Sequence, residues 1–373
     1  MTQKLIIVTL YGGNDGLNTV VPYGNSAYYT ARPELAYQPD QVLRLDDSLG
    51  LNPVLEGLNL LWSKKQLAVV LGAGYPKPDR SHFRSMDIWQ TASPSGPTTS
   101  GWVGRWLDGT NAAPEAAVSF EPMLPPLLVG ETRTGACVSI DGLKLPAGVT
   151  PNMIEALGRR EPNDTDMQAR AADAYGNLIK IDQLIRDGEA KVAPSEATVQ
   201  PEIPATGTGG ANVLSAQLLR VAQCVEAGVP TRVYSVSLGG FDTHTAERLG
   251  HELLLRQLDQ ALTSFVDRLA RTEAGRQVTV VVYSEFGRRV RANASHGTDH
   301  GTAGPVFVLG PQVAGGLYGE QPSLQDLDDG DLKATTDFRD VFGTLLASVL
   351  RADPARYLGG GYKPKMLPFL ASG

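Results

Sequence analysis

Four strand-like apolar runs in this chain each lead into, or follow, a short knot of acidic residues and histidines, and those knots hold three of its only five histidines. Run 5–10 leads into Tyr11-Gly12-Gly13-Asn14-Asp15-Gly16, and run 233–238 leads into Gly240-Phe241-Asp242-Thr243-His244. Run 278–283 leads into Ser284-Glu285-Phe286-Gly287-Arg288, and His296-Gly297-Thr298-Asp299-His300 stands just before run 306–309. In an open α/β sheet the strand ends converge on one crevice, so residues far apart in sequence can share one ion. A mixture of carboxylates and imidazoles suits a divalent ion of Zn, Mn, Fe, Mg or Ca.

Further along the chain, 66–71 reads as a buried strand followed by a Gly72-Ala73-Gly74 turn. Ser81 then stands where a helix N-cap belongs, with Phe83, Met86, Ile88 and Trp89 as the apolar positions behind it. Helical spacing also predicts helices over 101–107, 166–187, 211–227 and 248–271. Strands alternating with helices predict an α/β fold with a mostly parallel central sheet and helices on both faces. The 373 residues, 42% of them hydrophobic, suffice for one large domain or two ordinary ones. The expectation is one α/β domain over 1–373. Within it, Pro194, Pro201, Pro204 and the run Thr206-Gly207-Thr208-Gly209-Gly210 mark 189–211 as a loop or linker.

Forty acidic against 33 basic residues, a formal charge of −7, disfavour nucleic acid or an anionic membrane as the main partner. Cys137 and Cys224 have no CxxC spacing, so neither a disulfide framework nor a thiolate zinc site is indicated. No run reaches the ~20 apolar residues of a membrane span. The opening Met1-Thr2-Gln3-Lys4 meets a short strand rather than a signal-peptide core, so the expectation is a cytoplasmic chain, or an exported one if a leader has been trimmed.

Singly, the motifs admit plain readings. Asp15 can serve its glycine turn, Asp242 can cap, and Ser81 can be no more than an N-cap. Asp242 and His244, two apart in extended chain, point the same way and can reach one ion. His296, Asp299 and His300 crowd five residues, and a solvated loop explains two of five histidines poorly. His251, on a helix, is held in reserve as a ligand. Glu285 at a strand end suits a ligand position, because a buried unpaired carboxylate is costly. Arg288, Arg289 and Arg291 offer charge to an anionic substrate, with solvated positions the plainer reading for at least two of them. A serine at a helix N-terminus has free backbone N–H groups that favour its alkoxide and an attached phosphoryl or sulfuryl group.

The order of the motifs, Gly12-Gly13-Asn14-Asp15-Gly16-Leu17-Asn18-Thr19-Val20-Val21-Pro22-Tyr23, Ser81-His82-Phe83 with Asp87-Ile88-Trp89-Gln90, Gly239-Gly240-Phe241-Asp242-Thr243-His244, Ser284-Glu285-Phe286-Gly287-Arg288 and Asp299-His300-Gly301, resembles the DUF1501 family over nearly the whole chain. That family is grouped with the alkaline phosphatase superfamily, beside sulfatases and cofactor-independent phosphoglycerate mutases. The resemblance implies an alkaline-phosphatase-like fold, two metal ions and a nucleophile on a helix N-terminus. Carried over by motif, Asp242, His244 and His300 form one metal site, and Asp15, Glu285 and Ser81 the other. Where the superfamily has an Asp-His pair this chain has Glu285-Phe286, leaving His296 or Asp299 to replace the missing imidazole. Neither cysteine lies in the Cys-x-Pro-x-Arg pattern of formylglycine sulfatases. Members of the family commonly carry a twin-arginine leader, which suits export of a protein folded around its metal.

The resulting expectation is a metal-dependent hydrolase or transferase acting on a phosphate or sulfate ester, carried by a small molecule or a glycan. Ser81 attacks, with Ser85, Thr91 and His82 as competing nucleophiles, and Arg80 or Arg288 clamps the anion. Direct attack by a bound water is a further scheme. The rival is a non-catalytic binding or assembly protein that keeps the fold and a structural metal.

Overall fold

Strand β1 (Lys4–Leu10) is buried along its whole length, and its side chains divide cleanly between two hydrophobic cores. Ile6, Val8 and Leu10 enter one core, and Leu5 and Ile7 the other, as the two-residue period of a strand covered on both faces requires. The computed structural model describes residues 2–140, 142, 147–189 and 214–370. The central sheet also contains β2 (Leu67–Gly74), β3 (Ala117–Ser119), β4 (Ala136–Cys137), β5 (Val233–Leu238), β6 (Val278–Ser284), β7 (Gly304–Leu309), β8 (Gly316–Tyr318) and β9 (Thr336–Asp337). Its order is β8-β2-β7-β6-β1-β5-β3-β4, with β9 added beside β2. Every pairing is parallel except those of β7, which runs antiparallel to both β2 and β6.

Helices cover both faces. One core takes residues from Leu214–Glu226 and Glu247–Leu269, and the other from His82–Thr91, Trp102–Thr110 and Phe338–Ser348. The α/β architecture with a mostly parallel sheet therefore stands as read from the sequence. A small antiparallel sheet of Val20–Val21, Gly50–Leu51 and Leu43–Arg44 was not anticipated, because two-residue strands carry no periodicity. Phe83, taken as part of an apolar helix face, is instead 80% exposed. The proposed linker lies outside the described residues except at residue 189. Among the described residues, no helix is long and apolar enough to cross a membrane.

This topology gathers the motifs at one edge. Strands β6, β1 and β5 are parallel neighbours, in register at Ser284, Leu10 and Leu238, so the knots that follow them emerge side by side. Because β7 runs the other way, the knot that precedes it arrives at the same edge.

Candidate metal centre

Asp242, His244, His300 and His82 meet at this edge. The Asp242 Oδ1 atom lies 3.0 Å from His244 Nε2, 3.1 Å from His300 Nε2 and 3.4 Å from His82 Nε2. His244 Nε2 and His300 Nε2 are themselves 2.9 Å apart. His82, Asp242 and His300 form a group of three metal-capable side chains with ligand atoms mutually close, and His244 adjoins Asp242 and His300.

Each imidazole is turned by an acceptor at its other nitrogen. His300 Nδ1 is 2.8 Å from the Arg80 carbonyl, which has no proton to give, so Nδ1 carries the hydrogen and Nε2 a lone pair. His82 Nδ1 lies 2.8 Å from Glu285 Oε1 and His244 Nδ1 lies 3.2 Å from Asp299 Oδ1, carboxylates in the corresponding positions. Carboxylates and carbonyls that hold the far nitrogen of a histidine are the usual outer shell of a metal ligand. His82 Nε2 is buried and makes no hydrogen bond. Three imidazoles and a carboxylate gathered this closely are a donor set that fits a divalent cation.

Burial opposes the charge of Asp242, but the Arg288 guanidinium outweighs it and brings the carboxyl down to about 2. Burial likewise opposes an imidazolium at His82, where the Glu285 hydrogen bond prevails and raises the pKa. At His300 burial prevails and lowers it.

Close packing of loops makes this convergence possible. Gly12 has φ +114°, and a Cβ there would stand 2.6 Å from the Asp242 backbone nitrogen. Gly297 passes so near His244 that its Cβ would meet the carbonyl carbon at 2.3 Å. The chain from Gly287 to Thr302 folds back on itself, with Gly287 N donating to Thr302 O and Arg289 N to Asp299 O, and so returns His300 to the site.

The remaining candidates are distributed differently. Glu285 is buried and faces His82 through Oε1, which also accepts from Gly12 N at 2.9 Å, while Oε2 accepts from the Ser284 hydroxyl. Asp299 holds His244 and accepts from Asn293. His296 pairs with Glu34 at the surface, away from the cluster. Asp15 is fully buried against Arg32 and is not brought to the cluster. Arg288, taken as an anion clamp, is fully buried and donates to Gly13 O, Thr298 O, Gly12 O, Phe241 O and Asp242 Oδ1, which leaves it no reach toward a substrate. Arg80, partly exposed, is paired with Asp331 and Asp329. His251 is buried and bonded to Asn14.

Ser81 precedes helix His82–Thr91, is exposed, and its hydroxyl caps no backbone group. Its competitors are occupied: Ser85 donates to Glu285 O at 2.6 Å, and Thr91 to Asp87 O. His82 as a ligand was missed in the sequence. Its signal was its place just beyond β2, at the same sheet edge as the four knots.

Two clefts flank the cluster. One of about 840 Å³ is lined by Arg80, Phe286, Asp329, Asp331 and Lys333. The other, of about 280 Å³, reaches His82 and has apolar walls at Phe83, Met86 and Met123 over a floor of Tyr11, Gln90 and Glu121. Glu121 is buried there, accepts from Tyr11 and Ser235, and has its pKa raised by burial.

A family model described as a protein of unknown function (DUF1501) matches residues 72–359. The chain belongs to the DUF1501 family. No curated protein matches this DUF1501 chain in sequence. Among solved structures it is similar to a protein in the alkaline phosphatase superfamily from Vibrio parahaemolyticus, at 10% identity over 93% of this chain and 66% of that one, with a TM-score of 0.41. It is also similar to the C-terminal periplasmic domain of EcEptC from Escherichia coli, in complex with Zn, at 11% identity over 98% and 89% of the two chains and a TM-score of 0.43. A phosphonate monoester hydrolase of Agrobacterium radiobacter is similar at 12% identity over 98% and 78%, with a TM-score of 0.37. The DUF1501 chain thus spans 66% of the length of the Vibrio protein.

Proposed function

We propose that this DUF1501 chain is a metal-dependent hydrolase or transferase acting on a phosphate or sulfate ester of a small molecule or glycan. The observation that carries the reading is the convergence of His82, His244 and His300 Nε2 on Asp242 Oδ1, with every Nδ1 held by an acceptor. The ester class rests on the motif resemblance to the alkaline phosphatase superfamily. These four side chains would hold a divalent ion, and Glu285, Asp299 and the Arg80 carbonyl would keep the rings in place. A bound ion lowers the pKa of a coordinated water or hydroxyl and neutralises charge on the substrate.

Ser81 is the proposed nucleophile, because its hydroxyl is exposed beside His82 and not spent on capping. The backbone N–H groups of the following first turn would favour its alkoxide and an attached anionic group. The apolar cleft beside His82 would receive the organic part of the ester, away from water. The test is turnover of aryl phosphate and aryl sulfate esters by metal-loaded wild type and Ser81→Ala. Wild-type turnover that falls to background in Ser81→Ala, with metal content unchanged, is expected. Retained turnover in the variant would sink Ser81 and leave attack by water. No turnover of either ester class by a loaded wild type favours a binding protein with a structural metal.

A further inference from the structure

We infer that this chain holds one metal ion rather than two, and that two buried arginines take up the places of positive charge that a second ion would need. The inference rests on the reading of His82, Asp242, His244 and His300 as a metal set, and sharpens it. A second site built from Asp15 and Glu285 needs carboxylate oxygens with lone pairs to spare. Asp15 is instead committed to Arg32, and Glu285 to Gly12, His82 and Ser284.

Asp15 is completely buried, and its Oδ2 accepts from Arg32 Nη1 at 2.5 Å. Arg32 is fixed from behind, donating through Nε to Val290 O and through Nη2 to Arg289 O. The other oxygen, Asp15 Oδ1, has no hydrogen-bond donor, and neither has Glu247 Oε1, also fully buried. The two carboxyl groups are neighbours, and burial beside Asp15 favours a proton on Glu247. Burial and the neighbouring Asp15 charge keep that proton on Glu247, while Arg32 overcomes the burial of Asp15 and holds it ionised. Arg32 thus already supplies the positive charge that faces Asp15, in the place where a second ion would have to stand. His251, the other titratable group facing it, is kept neutral by burial and bonds to Asn14.

Glu285 is held by neighbours as well. Its Oε1 accepts from Gly12 N and His82 Nδ1, and its Oε2 from Ser284. Phe286 supplies no ligand atom and packs its ring 4.9 Å from His82 and 5.0 Å from His300. Arg288 fills the space between the loops, bound to four backbone carbonyls and to Asp242. Carbonyls in such a ring, beside a carboxylate, are what a cation would otherwise require, and the guanidinium satisfies them permanently.

The experiment is native mass spectrometry with elemental analysis on the full chain, titrated to excess with Zn²⁺ and separately with Mn²⁺, beside Glu247→Gln and His244→Ala. Wild type should saturate at one ion per chain. Glu247→Gln mimics the neutral acid, so it should also hold one ion, with affinity changed by less than the about tenfold that loss of an outer-shell partner costs. His244→Ala, at a half-exposed position, should weaken or lose the ion. Two ions in wild type would overturn the inference while sparing the metal reading, as would loss of an ion in Glu247→Gln. No ion in wild type would overturn both.

Discussion

Two clusters at the same edge of the sheet are made from nearly the same side chains and do opposite things. The Asp242 cluster has one carboxylate, three imidazoles and a buried arginine, and its imidazole Nε2 atoms gather at the Asp242 carboxylate. The Asp15 cluster has two carboxyl groups, an imidazole and a buried arginine, and its carboxylate is taken up by that arginine. The difference lies in the far side of each group. In the first, outward acceptors hold the Nδ1 hydrogens and so turn basic nitrogens inward. In the second, the guanidinium and a retained proton are turned inward and quench the charge on the spot. Residue type alone does not tell the two clusters apart; the partners on the far side of each group do.

The contrast can be broken most forcefully at Arg32. Replacing it with Ala leaves Asp15 buried without its partner, a loss of about 3–5 kcal/mol in chemical denaturation. Whatever fraction remains folded should still bind its ion, and a coupled loss of metal affinity in that folded fraction would show that the two clusters are one unit. At Glu285 the expectation reverses. Glu285→Gln weakens the hold on the His82 tautomer and should reduce metal affinity about 10–100-fold by competition with a chelator, with one ion still bound at saturation. Unchanged affinity would remove Glu285 from the outer shell.

The smallest effect separates the clusters by pH. Glu247 keeps its proton well above the usual carboxylate range, first because it is buried and next because Asp15 is beside it. From about 4.5 upward the unfolded chain has released a proton that the folded chain retains, so this group's contribution to stability falls as pH rises. The slope cannot exceed about 1.4 kcal/mol per pH unit, and Glu247→Gln should flatten it in melts across neutral pH. Equal slopes in the two proteins would mean that Glu247 is ionised.

The strands were legible because a parallel sheet covered on both faces demands unbroken apolar runs: 233–238 was read with the bounds that the structure has, and 278–283 is short by Ser284 alone. Their shared edge followed from topology, so Asp242, His244 and His300 were brought together as read. Arg32 passed unnoticed, because it pairs with Asp15 across a turn and with Val290 and Arg289 from the other end of the chain, and no local pattern announces such a contact. Arg288 was read as a substrate clamp for the same reason: its five acceptors come from loops after three different strands. His82 was weighed as a nucleophile and not as a ligand, since only the packing of helix His82–Thr91 beside Glu285 reveals which nitrogen it presents.

Strand β7 has a consequence for how the protein is made. It is the one strand that joins β2 to β6, and it lies within the last quarter of the chain. His82 follows β2 on one side of it, and Asp242 and His244 follow β5 on the other. Until the ribosome has released residues 300–309, the two halves of the sheet share no edge and the four ligands have no common address. An ion held by the proposed set would therefore be captured late, once this strand has slotted into place between its neighbours.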